Sequence, residues 1–151
     1  MNRPSWKKVN PAIQAGIGFP AFVTLSVMGT LAVANNLDSL QVPLCIPGDG
    51  KGALLRIAEV QYVLQSLGGT SGSTAVRLVK NGDTTNGVLD STSIAYNATQ
   101  NYVQKDLRDS SGKGITLQAG DSVRVDVTAI PGTASANLKI RLVLEVMDIA
   151  A

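Results

Sequence analysis

Apolar and polar positions alternate with a two-residue period near the C-terminal end. Val123, Val125 and Val127 alternate with Arg124, Asp126 and Thr128, and Leu138, Ile140, Leu142, Leu144 and Val146 alternate with Lys139, Arg141, Val143, Glu145 and Met147. A strand sends successive side chains to opposite faces, so each run predicts a strand with one aliphatic face. Pro131-Gly132-Thr133-Ala134-Ser135-Ala136 separates the runs, which predicts a closing antiparallel hairpin packed against a second sheet. The outer row of its second strand carries Val143 and Met147 among charges, which predicts a cover there from the N-terminal segment or a neighbouring subunit.

The same period marks Ala21, Val23, Leu25 and Val27 as one face of a first strand. Thr30–Ala34 and Leu40–Ile46 form short apolar segments separated by Asn35-Asn36-Leu37-Asp38, with Pro43 indicating an edge or a bulge. Between Ala53 and Gln65, Leu54, Ala58, Gln61, Tyr62 and Gln65 fit helical spacing. Leu54, Ala58, Val60, Tyr62 and Leu64 fit a strand face interrupted at Arg56, and β-prone Val60, Tyr62 and Val63 favour the strand. Further strands are predicted over Thr74–Lys80, Val88–Tyr96, Gln100–Leu107 and Ile115–Leu117, separated by Gly-, Asn- and Asp-rich loops that include Asn81-Gly82-Asp83. Short strands at this spacing predict an all-β fold, an antiparallel β-sandwich of jelly-roll-like form.

Residues 1–19 read differently, as an extended arm punctuated by Pro4, Pro11, Gly16 and Gly18, ahead of a single domain over residues 20–151. The arm carries Arg3, Lys7 and Lys8, and no acidic residue precedes Asp38. Its Trp6, Ile13, Ile17 and Phe19 supply apolar contact surface, with Trp6 the aromatic anchor. A segment without amphipathic helical periodicity gains stability by lying against its own domain or a neighbour. Residues 1–34 also have the outline of an export signal, a basic start over Met1–Lys8, an apolar run through Leu31 and Ala32-Val33-Ala34; cleavage there would leave Asn35 first.

Composition narrows the chemistry. The 151 residues contain no histidine and one cysteine, so Ser-His-Asp and Cys-His catalysis, histidine metal ligation and multi-cysteine sites within one chain are excluded. Cys45, between Leu44 and Ile46, reads as a small apolar core residue. The carboxylate pairs Asp106/Asp109 and Asp121/Asp126 are expected to serve turns and strand faces rather than acid–base chemistry. No glycine cluster has the spacing of a phosphate loop, and no acidic run has that of a calcium loop. The expectation is no catalytic residue, no metal and no cofactor. A net charge of +2 and 4% aromatic residues leave the body of the chain without the basic, aromatic-lined surface of a nucleic-acid binder. Tyr96 and Tyr102, in a loop-rich region, are the candidate ring-stacking contacts for a ligand such as a glycan.

From Leu54 to Glu145 the chain resembles the small β-sandwich, jelly-roll-like structural proteins of tailed-phage and related virus particles. The resemblance rests on Leu78-Val79-Lys80-Asn81-Gly82, on Ile115-Thr116-Leu117-Gln118-Ala119-Gly120-Asp121 leading into the valine run, and on the closing strand from Leu138 to Glu145. It implies a non-enzymatic virion protein, foremost a capsid decoration (cement) or minor capsid protein. Such a protein sits on the capsid surface, bound to the major capsid protein and assembled as a homo-oligomer with trimers favoured, without specific nucleic acid or membrane. The alternatives are a glycan- or receptor-binding tail or fibre module and a secreted bacterial β-sandwich domain.

Overall fold

A computed structural model describes residues 19–42 and 54–147, the side chains of residues 19, 20, 146 and 147 excepted. Among these residues the chain forms nine strands and no helix: β1 (Phe19–Thr30), β2 (Ala34–Gln41), β3 (Leu54–Ser66), β4 (Ser73–Lys80), β5 (Val88–Ala95), β6 (Tyr102–Asp106), β7 (Ile115–Gln118), β8 (Ser122–Ala129) and β9 (Ala136–Met147). One sheet has the order β1-β9-β3-β6, with β7 also on β3, and the other the order β2-β8-β4-β5; every pairing is antiparallel. β6 and β7 occupy successive stretches of one β3 edge and act as a single interrupted strand. The resulting pair of four-row sheets, with the chain crossing repeatedly between them, is a jelly roll. We name the sheets by their central strands, the β9 sheet and the β8 sheet.

The core is aliphatic. Leu25, Leu55, Ile57, Val60, Leu64, Leu117, Leu138, Ile140 and Leu142 from the β9 sheet meet Val76, Leu78, Ile94, Val123, Val125 and Val127 from the β8 sheet. Dry contact between two such faces supplies most of the fold's stabilisation, at roughly 25 cal/mol for each Å² of apolar surface buried.

The aliphatic rows Val123–Val127 and Leu138–Leu144 are buried as their period requires, but they do not form a hairpin. β8 pairs with β2 and β4, whereas β9 pairs with β1 and β3. The rows therefore face each other across the core instead of lying side by side. The intervening residues cross between sheets and are clamped by other loops. Gly69 and Thr133 exchange backbone hydrogen bonds of 2.9 and 2.8 Å, Gly132 donates to Ser71 O at 2.9 Å, and the buried hydroxyls of Thr74 and Ser135 share a 2.5 Å bond. Alternation specifies which face is buried, not which strand lies alongside. Among the described residues, only β4 and β5 are chain-adjacent strands bonded to each other, through a turn in which Asn81 and Gly82 adopt φ of 51° and 71°. That left-handed pair matches the twist of a hairpin.

Two other expectations change. Asn35–Asp38 does not separate segments but lies inside β2, where the pairing with β8 shifts register and Asn36 takes a φ of 56°. The polar side chains there serve the irregularity, because Asp38 Oδ2 accepts the Ser26 N–H at 2.8 Å and the Asn36 N–H donates to Asp126 at 2.8 Å. In β3 a bulge between Ile57 and Glu59 switches the buried phase, so that Leu55 and Ile57 point inward before it and Ala58, Val60, Tyr62 and Leu64 after it. Arg56 therefore belongs to the outer face and does not break the inner one. The predicted Pro43–Ile46 segment, Cys45 and the Pro47–Gly52 loop lie outside the described residues.

Candidate assembly surface

The outer face of the β9 sheet carries a mixed patch whose rows follow from strand register. Phe22 on β1 lies opposite Val143 on β9, which lies opposite Glu59 on β3; Thr24, Arg141, Gln61 and Gln104 form the next row. Phe22 is 71% exposed, against the near-complete burial of aliphatic residues on the inner face. Together with Glu59, Gln61, Gln104, Arg141 and Val143 it lines a hollow of about 220 Å³. One end of the face is fixed by Arg108, which donates to Glu59 at 3.0 Å and Asp106 at 3.2 Å and stands 3.6 Å from Glu145. Val143 is half-buried, and the side chain of Met147 is outside the described set.

The outer face of the β8 sheet is organised by a buried charge. Asp126 is fully buried, accepts from Arg77 Nε at 3.0 Å and from an Arg124 terminal nitrogen at 3.2 Å, and receives the Asn36 N–H. Arg124 Nε also stands 3.0 Å from Asp126 Oδ1, an ion pair whose N–H is not aligned for a hydrogen bond. Burial pushes the Asp126 carboxyl up, but the Asn36 N–H and the two guanidinium groups outweigh it and hold the group below the ordinary carboxylate range. Asp121 shows the same economy at the mouth of β8. Its carboxylate takes hydrogen bonds from Asn81 Nδ2 and the Gln118 N–H and pairs with Lys80 at 3.0 Å, which together lower its pKa to about 2.

Each carboxylate considered for acid–base chemistry is thus engaged structurally. Asp106 pairs with Arg108, and Asp109 closes its own turn by accepting the N–H groups of Ser111 and Lys113. Asp90 accepts the buried Tyr62 hydroxyl at 2.6 Å and pairs with Lys105 at 3.1 Å, tying the two sheets together at their β5 and β6 edges. Desolvation and the Asp90 contact push the Tyr62 phenol far up, so it stays a neutral donor. Among the described residues no three Cys, Asp or Glu side chains cluster to hold a metal ion.

Of the residues singled out from sequence, Arg3, Trp6, Lys7, Lys8, Ile13 and Ile17 lie outside the described residues. Phe19, assigned to the arm, is the first residue of β1 and pairs with Val146. Tyr102 opens β6, is 40% exposed and lines a hollow of about 340 Å³ with Ser93, Thr99 and Gln100. Tyr96 is half-buried beyond the end of β5, where its N–H donates to Gly72 O, and is not part of that lining. The Phe22 patch was missed in sequence reading. Its signal was an aromatic at an outward position of an alternating strand, legible only once register places Val143 beside it.

No family model matches this chain, and no curated protein matches it. Solved structures align with this chain at low identity. The core of the Drosophila protein NLP, described for pentamer formation and histone binding, is 11% identical over 87% of this chain and 100% of that one, with a TM-score of 0.45. A capsid chain of the Helicobacter pylori bacteriophage KHP30 is 14% identical over 88% and 100%, TM-score 0.45. A chain of the honeybee sacbrood virus in an expansion state is 12% identical over 91% and 89%, TM-score 0.45. Scores at this level carry no inference about function.

Proposed function

We propose that the chain is a non-enzymatic structural protein of a virus particle, a capsid decoration or minor capsid protein at the capsid surface. The observation that carries this reading is the outer face of the β9 sheet, where Phe22 stands 71% exposed beside Val143 on a rigid jelly roll. Jelly rolls serve capsids, lectins and other roles, so the fold permits this function without selecting it. The missing histidine and the structural use of Asp90, Asp106, Asp109, Asp121 and Asp126 support presentation over chemistry. Residues 1–18, which include Arg3, Trp6, Lys7, Lys8, Ile13 and Ile17, directly precede β1 in the sequence, and β1 begins three positions before Phe22. In this reading they contact neighbouring subunits, the major capsid protein foremost.

Purified particles from the gene's source test it. The chain should remain with capsids through a density gradient, and a variant lacking residues 1–18 should fold yet be recovered at least about tenfold less on them. Equal recovery of the two forms would remove the arm from the account, and absence of the full chain from particles would remove the virion role.

A further inference from the structure

We propose that the edge of β1 that no strand of the described residues pairs with is a self-association surface, at which β1 of a second copy docks antiparallel about a two-fold axis through Val23. The proposal does not rest on the virion reading. A sheet edge exposes unpaired backbone groups, and proteins blunt it with charge, internal proline, bulges or short length. The other three edges use such devices: β2 has Asp38 and a register shift, β5 has Asp90 and a register shift, and β6 is five residues long with Lys105 and Asp106. β1 is twelve residues long and carries no charged side chain; its Pro20 and its register shift between Val27 and Thr30 stand towards the two ends, and between them the register with β9 is continuous.

The hydrogen bonds identify which groups are open. The Ser26 N–H is taken by Asp38, so Ser26 points away from β9, and by the antiparallel alternation Phe22 and Thr24 point the same way. Among the described residues neither has an acceptor for its N–H. In a two-fold register centred on Val23, Phe22 of one copy faces Thr24 of the other, and each pair exchanges both backbone bonds. The flanking positions set Pro20, which has no N–H, opposite Ser26, whose N–H is already used by Asp38. That register requires no bond the edge is unable to make, and two uncharged strands meet without like-charge repulsion. Phe22 would pack against the partner's Thr24, shielding part of the most exposed large apolar side chain among the described residues.

Sedimentation velocity of the full chain over a roughly hundredfold concentration range, with amide hydrogen exchange at its two extremes, tests the proposal. A monomer–dimer equilibrium is expected, with the Phe22 and Thr24 amides protected only at high concentration. Thr24→Pro, which removes one docking N–H at an edge position, and Phe22→Lys, which charges the strand, should each weaken dimerisation at least about tenfold with an unchanged far-UV spectrum. Should Thr24→Pro fail to fold, Phe22→Lys and the exchange data decide alone. A chain monomeric throughout, or a dimer indifferent to Phe22→Lys, overturns the proposal. Protection of both amides at every concentration overturns it too, because the edge is then filled by another segment of the same chain.

Discussion

At the scale of single residues, the polar groups of this jelly roll are committed to holding the strands in register. Asp126 is the most consequential, since two arginines and a backbone N–H converge on one fully buried carboxylate. Asp126→Ala leaves Arg77 and Arg124 facing each other and strands the Asn36 N–H, and should cost about 3 kcal/mol, read from urea-unfolding midpoints. Both arginines remain partly solvated, which keeps the cost from rising further. Asp121 yields a pH prediction of definite sign. Its folded pKa of about 2 lies below the ordinary 3.8, so its contribution is fully present above the unfolded value and is lost as pH falls through about 2. Solvent screening of the Lys80 pair holds that contribution to about 1 kcal/mol. The gap in thermal midpoint between wild type and Asp121→Asn should be constant from about pH 7 to pH 5 and shrink towards pH 2. A gap independent of pH would refute the assignment.

At the scale of elements, strand existence was written in the sequence and strand neighbourhood was not. Period-two runs located β1, β8 and β9, because burial of one face leaves a local signature, whereas β-prone residues and flanking turn residues located β3 and β4. Pairing is a long-range property, which is why the valine run and the Leu138 run were joined in a hairpin that the chain does not make. The interrupted β6–β7 strand illustrates what local pattern hides. Its excursion over residues 107–114 leaves and rejoins β3 at the Ile57–Ala58 bulge, where the Leu107 N–H donates to Ala58 O at 2.8 Å. Gly114 returns the chain so closely that an added Cβ would stand 2.4 Å from Ile57 O and 2.7 Å from Ile57 C. Both contacts are backbone and yield little, so Gly114→Ala should destabilise by about 2–3 kcal/mol in chemical denaturation. A cost under about 0.5 kcal/mol would show that the bulge is more pliant than its packing implies.

At the scale of the whole molecule, the fold class was legible and the assembly surface only in part. Alternation, turn residues and an aliphatic composition sufficed for an antiparallel sandwich of jelly-roll form. The absence of histidine removed histidine-dependent catalysis and metal ligation without reference to structure. Phe22 entered the sequence reading only as an unremarked outward position, since its neighbour across the sheet, Val143 of β9, is more than a hundred residues away in the chain. What results is a charge-stitched scaffold with a mixed outer patch around Phe22 and one edge strand without a charged side chain. Quantitative mass spectrometry of gradient-purified virus particles from the gene's source tests that account most directly. The account predicts this chain at a fixed stoichiometric ratio to the major capsid protein across preparations, whereas its absence from particles, with full recovery in the non-particulate fraction, would contradict it.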